Sequence, residues 1–362
     1  MADKSGITMP STDVEVAEVR PGEHLDWPKL NAYLAEHIPE VDGEPVVEQF
    51  PNGSANLTYR LTYPDITLVV RRPPFGTVAP GAHDMKREYT VLSHLYPCYP
   101  RAPRALLFGD DVDVIGAPFL VSEYRPGVVV WNSLPDTMTA PDAGRRVGFA
   151  VVDALADLHS VDYVAAGLAD LGRPEGYLAR QVRGWTKRWG AVADTDPDAD
   201  VSIIGEVGEI LAQTLPAEGA GTIVHNDFKV DNCQFSTSDP DRVISVFDWD
   251  MATLGDPLTD LGTLLNYWPD PDNDTAMAIP GLDRLGLPTK HEVVERYSRS
   301  RGVDLTLDDL RWYEAFGCWK TSIILQQLYA RFLRGESTDL RMGERGRDVV
   351  PLGHRARDLL AG

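Results

Sequence analysis

The chain has 362 residues, long enough for two lobes with filled cores. Hydrophobic residues make up 43% and charged residues 25%, the balance of a folded globular protein. Lys plus Arg (34) against Asp plus Glu (55) leaves a formal net charge of −21, which argues against nucleic acid or an anionic membrane as partner, since both require a basic face.

Met1 to Asp13 is polar and lacks the basic-then-apolar pattern of a secretory signal, and no uninterrupted apolar run approaches the roughly 20 residues of a bilayer span. A helical stretch is expected near Trp27 to Glu36. Leu57, Tyr59, Leu61 and Tyr63 alternate with Thr58, Arg60 and Thr62, so one face of a strand is buried. Ile66 to Arg72 reads as its antiparallel partner across Pro64-Asp65. Ala82 to Leu95 has a helical pattern, with Met85, Tyr89 and Leu92 on one face and Glu88 beside Tyr89. Two further strands, Arg104 to Phe108 and Pro118 to Tyr124, flank the turn signals Asp110-Asp111 and Gly116.

From Val147 the pattern changes. Val147, Ala150, Val151, Ala154, Leu155 and Leu158 recur at the spacing of an amphipathic helix. A Trp-containing helix is expected around Gln181 to Trp189, and a last helical pair carries Leu325, Leu328, Tyr329 and Phe332, stopped by Gly335. Asp194 to Asp200 and Pro269 to Asp274 read as exposed loops. Cys98, Cys233 and Cys318 are odd in number and far apart, which argues against disulfides and a zinc site and for a reducing, cytoplasmic setting. The expected class is α+β, with a small mixed β lobe over 1–124 and a larger, mainly helical lobe over 125–362 joined near Arg125-Pro126-Gly127.

The chemistry concentrates in His225-Asn226-Asp227-Phe228-Lys229-Val230-Asp231-Asn232 and, after a short hydrophobic strand, in Phe247-Asp248-Trp249-Asp250. Phosphoryl transfer needs a base and metal-binding oxygens. Asp227, following a strand at Thr222 to Val224, could accept or orient a hydroxyl proton. Asn232 and Asp248 would supply two oxygens to Mg²⁺, which takes few protein ligands besides phosphate and water. Lys229 could neutralise the transferring group. His225 reads as an orienting core residue, and Asp256 and Asp260 as turn and capping carboxylates that brace the loop. Asp250 could reach a second metal ion, reach the substrate, or face solvent. Trp185, Trp189, Tyr313, Trp319 and Tyr329 could line an acceptor site or fill the core.

His-x-Asp-x-x-x-x-Asn followed by Asp-Trp-Asp and Gly-Asp-Pro-Leu-x-Asp-Leu resembles the aminoglycoside phosphotransferase family, relatives of choline kinase and, more remotely, of protein kinases. Leu155-Ala156-Asp157-Leu158-His159-Ser160-Val161-Asp162 and Tyr177-Leu178-Ala179-Arg180-Gln181-Val182 are similar to one branch: the kinase-like domain joined to acyl-CoA dehydrogenases in animals, and bacterial hydroxyacyl-CoA kinases. The resemblance spans roughly residues 30 to 340.

It implies a protein-kinase-like two-lobed fold with the Asp227 motif on the second lobe facing the first. It implies a nucleotide loop at Gly53, Ser54 and Asn56, with Val69 over the base and Arg71 where a kinase has its phosphate-contacting Lys, paired with Glu88. It further implies a hinge at Glu123-Tyr124-Arg125, so that Glu123 and Arg125 border the nucleotide. ATP is the implied donor, with GTP left open, and Mg²⁺ the implied metal. The acceptor is a small-molecule hydroxyl: a hydroxyacyl-CoA or hydroxy acid from the branch motifs, an aminoglycoside from the wider family. A nucleotide-binding pseudokinase is the alternative from another class. Asn226 stands where the family usually has Gly, at a place where a positive φ is tolerated better by Asn than by most residues. Cys233 replaces a bulkier apolar residue and reads as a small buried hydrophobe.

Overall fold

The computed structural model describes residues 16–51, 56–76, 83–196, 200–269, 281–336 and 340–362. The chain forms two compact units, Met1–Ala143 with Asp231–Ala252, and Gly144–Val230 with Thr253–Gly362.

The first unit begins with helix α1 (Trp27–His37), capped by Asp26, whose side chain accepts the Lys29 N–H. Strands β1 (Val46–Gln49), β2 (Leu57–Thr62) and β3 (Thr67–Arg72) pair antiparallel in sequence. The expected alternation holds: Leu57, Tyr59, Leu61, Leu68 and Val70 are buried, and Leu30 and Leu34 of α1 join their cluster. Helix α2 (Met85–Leu95) starts on Asp84, whose carboxylate accepts the Arg87 N–H at 3.0 Å; Ala82 lies outside the described residues.

The buried face of α2 differs from expectation. Glu88 is buried with Met85, Val91, Leu92 and Leu95, whereas Tyr89 is only half-buried, against Phe108. Strand β4 (Ala105–Gly109), the short helix α3 (Val112–Ile115) and β5 (Phe119–Glu123) follow, and the sheet order is β1-β2-β3-β5-β4. Strand β6 (Val128–Val129) ends this stretch.

The second unit opens with α4 (Ala143–His159), whose apolar stripe from Val147 to Leu158 is buried as the periodicity requires. Helices α5 (Tyr177–Gly190) and α6 (Ser202–Gln213) lead to β7 (Thr222–Val224). The chain then returns to the first unit for β8 (Cys233–Phe235) and β9 (Val243–Val246), with β6 pairing on β8 to give the order β6-β8-β9. It re-enters the second unit at β10 (Thr253–Gly255), which pairs with β7. Helices α7 (Leu258–Tyr267), α8 (Lys290–Arg301), α9 (Arg311–Leu333), α10 (Leu340–Glu344) and α11 (Gly346–Ala361) complete it.

The compact units therefore do not follow a single cut after residue 124. Residues 125–143 and 231–252 belong with the sheet because β6 needs β8 as its ladder partner, and because the turn at Trp249 packs on α2. Gly335 ends the α9 segment at φ +69°. Of the two loops expected to be exposed, Asp194 and Thr195 lie in the short 3₁₀ turn Ala193–Thr195, Asp196 after it accepts from the Tyr329 hydroxyl, and 197–199 and 270–274 lie outside the described residues. Among the described residues no helix is long and apolar enough to cross a membrane.

Helix α8 begins with a reciprocal cap: the Thr289 hydroxyl accepts the Glu292 N–H, and the Glu292 carboxylate accepts the Thr289 N–H at 2.9 Å. Thr289→Ala is expected to cost about 1 kcal/mol, read as a lower urea midpoint at pH 7. Arg145 and the Thr289 N–H hold the Glu292 carboxyl down at about 2. A depressed folded pKa stabilises above the unfolded value, so this contribution should be complete above about pH 4.5 and fade as pH falls towards 2.

Candidate active site

In the first unit the alternation of β3 sends Leu68, Val70 and Arg72 to the core side and Val69 and Arg71 to the other. Arg72 is tied down by the Ile115 carbonyl at 2.7 Å. Arg71 Nε lies 3.0 Å from Glu88 Oε2, and its terminal nitrogen bonds Asp248 Oδ1, so one guanidinium bridges two carboxylates. Burial opposes the Arg71 charge, but Asp248, Glu88 and Asp250 outweigh it and raise its pKa. Burial pushes the Glu88 carboxyl up to about 6 in spite of Arg71.

Asp248 is reached through a tight turn. It adopts φ +68° ahead of the 3₁₀ turn Trp249–Met251, and Trp249, wholly buried, anchors that turn by donating its indole N–H to the Val246 carbonyl at 2.8 Å. Cys233 pairs with Val246 and the Phe247 N–H donates to the Asn232 carbonyl at 2.9 Å. Asn232 and Asp248 thus stand at the same end of the β8–β9 ladder. Among the described residues no group of three or more His, Cys, Asp or Glu could hold a metal ion. One carboxylate and one amide are the sparse, all-oxygen donor set that suits Mg²⁺ bound together with phosphate.

Gly53 and Ser54 lie outside the described residues. Asn56 is buried, and neither end of its amide finds a partner among the described residues. The Glu123 carboxylate accepts the Arg104 N–H and pairs with Arg125, whose guanidinium also donates to the carbonyls of Pro100, Ala102 and Ile244. Both side chains are committed to the chain itself.

In the second unit β7 delivers His225 into the core, where its Nδ1 accepts the Asp227 N–H at 3.3 Å. Asp260, in the first turn of α7, accepts the His225 and Asn226 N–H groups at 2.6 and 2.7 Å, and the His159 ring at 3.2 Å. An ionised carboxylate only accepts, so His159 donates from Nε2, and its Nδ1 accepts the hydrogen bond that the Tyr297 hydroxyl donates at 2.7 Å. Burial keeps His159 below its ordinary pKa. For Asp260 burial works the other way, but His159, His225 and the backbone outweigh it and hold the carboxyl below its usual range. Asp256 accepts the Leu258 N–H and the Tyr313 hydroxyl.

Asn226 has φ +67°. Its side-chain carbonyl accepts from Tyr177 at 2.6 Å and its backbone carbonyl from Lys320 at 2.5 Å. Asp227 emerges partly exposed, with Lys229 Nζ 3.2 Å from its carboxylate and 5.1 Å from the centre of the Tyr267 ring. Trp185, Trp189, Tyr313 and Trp319 are core residues, and Tyr329 is half-buried. Cys233 is wholly buried. Lys320, Tyr177 and His159 were not among the expected site residues. A single ammonium inside Cys318-Trp319-Lys320-Thr321-Ser322-Ile323, an otherwise uncharged run, is the signal that could have marked Lys320.

The family model "Phosphotransferase enzyme family" matches residues 46–293. The chain belongs to this phosphotransferase family. Its fold is that of the aminoglycoside phosphotransferases: a structure from Ralstonia eutropha, classed provisionally as an aminoglycoside phosphotransferase, superposes with a TM-score of 0.75 at 28% identity, covering 93% of this chain and 99% of that one. A thermostable mutant of APH(4)-Ia, solved with AMP-PNP and hygromycin B, shares the fold at a TM-score of 0.57 and 16% identity, over 91% and 97% of the two chains. Chicken acyl-CoA dehydrogenase family member 11 is 31% identical over 358 residues, covering 95% of this phosphotransferase-family chain. Mouse acyl-CoA dehydrogenase family member 10 is 32% identical over 314 residues, covering 86% of it. The chain spans 44% of the chicken protein and 29% of the mouse one, less than half of either relative.

Proposed function

We propose that this phosphotransferase moves the terminal phosphoryl group of ATP to a hydroxyl of a small molecule, a hydroxyacyl-CoA or the corresponding hydroxy acid. The observation that carries the reading is the Asp227–Lys229 pair, presented partly exposed on a loop whose backbone is otherwise bonded into the core. Asp227 accepts or orients the acceptor hydroxyl proton, and Lys229 offers positive charge to the group in transfer. Arg71, whose guanidinium bridges Glu88 and Asp248, would offer its planar fork to the nucleotide phosphates, with Val69 on the same strand face for the base. Asn56, with Gly53 and Ser54, contributes polar groups to the nucleotide, and backbone groups at Glu123 and Arg125 meet its base. Asn232 and Asp248 are the residues that would hold Mg²⁺, which when bound offsets phosphate charge.

The acyl thioester is favoured by relatives named as acyl-CoA dehydrogenase family members and by the motifs at Leu155 and Tyr177. An aminoglycoside is the second reading, favoured by the structural neighbours. Release of ADP from ATP, or of GDP from GTP, should be measured with a panel of hydroxyacyl-CoAs, free hydroxy acids and aminoglycosides. Turnover of the first two classes is expected. Turnover of aminoglycosides alone would overturn the acceptor assignment, and Mg²⁺-dependent nucleotide binding with no turnover on the panel would favour a pseudokinase. Arg71→Met should weaken ATP binding about 10- to 100-fold by calorimetry, the range of a charged hydrogen bond.

A further inference from the structure

Asn226 carries a side chain in the left-handed region, a conformation that costs a residue with a β-carbon about 1–2 kcal/mol and persists only when neighbours enforce it. Three elements of the second unit do so. From α7, Asp260 accepts its N–H; from α9, Lys320 donates to its carbonyl; from the start of α5, Tyr177 donates to its side-chain oxygen. All three partners are themselves buried.

Lys320 reaches the loop because α7 and α9 touch. A β-carbon on Gly262 would lie 2.4 Å from the Tyr313 backbone, and one on Gly317 would lie 3.1 Å from the Gly262 carbonyl oxygen. Burying an ammonium this deeply is costly, and a core that needed only volume would be served by Met. Burial depresses the Lys320 pKa, while Asp227 and Asp260 favour its charge and Lys229 opposes it.

We infer that Lys320 and Tyr177 are positioning residues that, by gripping Asn226 in its left-handed conformation, aim the carboxylate of Asp227 at the acceptor. The kinetic part of this inference rests on the function proposed above; the structural part does not. Misplacing a reacting group by about 1 Å costs on the order of 100-fold, so partial release of the grip should lower kcat about 10-fold or more in Lys320→Met and a few-fold in Tyr177→Phe, with KM for ATP unchanged.

The deciding experiment is a double-mutant cycle in the full chain. Asn226→Gly keeps the left-handed backbone but removes the oxygen that Tyr177 bonds, so Tyr177→Phe should lower kcat in the wild-type background and have no further effect on top of Asn226→Gly. Deuterium uptake by the peptide containing residues 222–230 should rise in Tyr177→Phe and Lys320→Met, whether or not an acceptor is turned over. If the wild-type chain turns over no acceptor but uptake rises and follows the cycle, the grip stands and the function proposed above fails. If the chain is active and Tyr177→Phe costs the same in both backgrounds, or changes neither kcat nor uptake, the inference is overturned. Should Lys320→Met fail to fold, the Tyr177–Asn226 cycle decides alone.

Discussion

Asp227→Asn is expected to lower kcat about 10²- to 10⁴-fold, the contribution of a positioned acid–base group, while KM for ATP stays within about twofold. The substitution keeps size and polarity but removes the charge to which we assign the acceptor proton. It breaks none of the hydrogen bonds of the brace beneath the loop, because Asp260 and Lys320 bond the backbone of His225 and Asn226, and the Asp227 charge favours the Lys320 ammonium only through space. Folding should therefore be preserved, and the loss should appear in the transfer step under saturating nucleotide. A variant that retains more than about a tenth of the wild-type kcat would remove Asp227 from the role of base.

Asp260→Ala should be the most destabilising single change in the second unit, by about 3–5 kcal/mol, the range for breaking a buried charged network from one side. Two backbone N–H groups and the His159 ring lose their acceptor at once, in an environment where Asp260 and His159 are wholly buried. Equilibrium urea unfolding at pH 7 reads the effect, and a midpoint shift equivalent to less than about 1 kcal/mol would show that water or a neighbouring group replaces the carboxylate. The same variant should lose activity out of proportion to its unfolded fraction, because the residues before Asp227 lose their fixed backbone.

Much of this was legible in the sequence because it is local. Alternation at Leu57 to Tyr63 and the helical recurrence from Val147 to Leu158 each report which side of an element is buried, and both hold in the structure. The positive φ of Asn226 and the bracing by Asp260 were also readable, since the first is a property of the residue type and the second of a helix start. What escaped was set by packing between distant segments. The helical pattern of α2 put Tyr89 inward and not Glu88; only the family resemblance implied the Arg71–Glu88 pair, and Arg71, on another element, supplies the countercharge that lets Glu88 be buried. Arg71 meets Asp248 across 177 positions, and Lys320 meets Asn226 across 94, distances over which no spacing rule operates. The expectation of sequential lobes overlooked that β8 and β9 complete a ladder begun at β6.

That interleaving has a kinetic side. Because 231–252 returns to the first unit, the contact between Arg87 on α2 and the Ala252 carbonyl closes a loop of 165 positions. Closure entropy grows slowly with length, but it must be met before such contacts reward it, so the sheet unit cannot be finished until synthesis has passed residue 252. A fragment ending at residue 143 would leave β6 without its ladder partner and α2 without the Trp249 turn. Any slow refolding phase of this chain should trace to the docking of that returning segment onto the sheet.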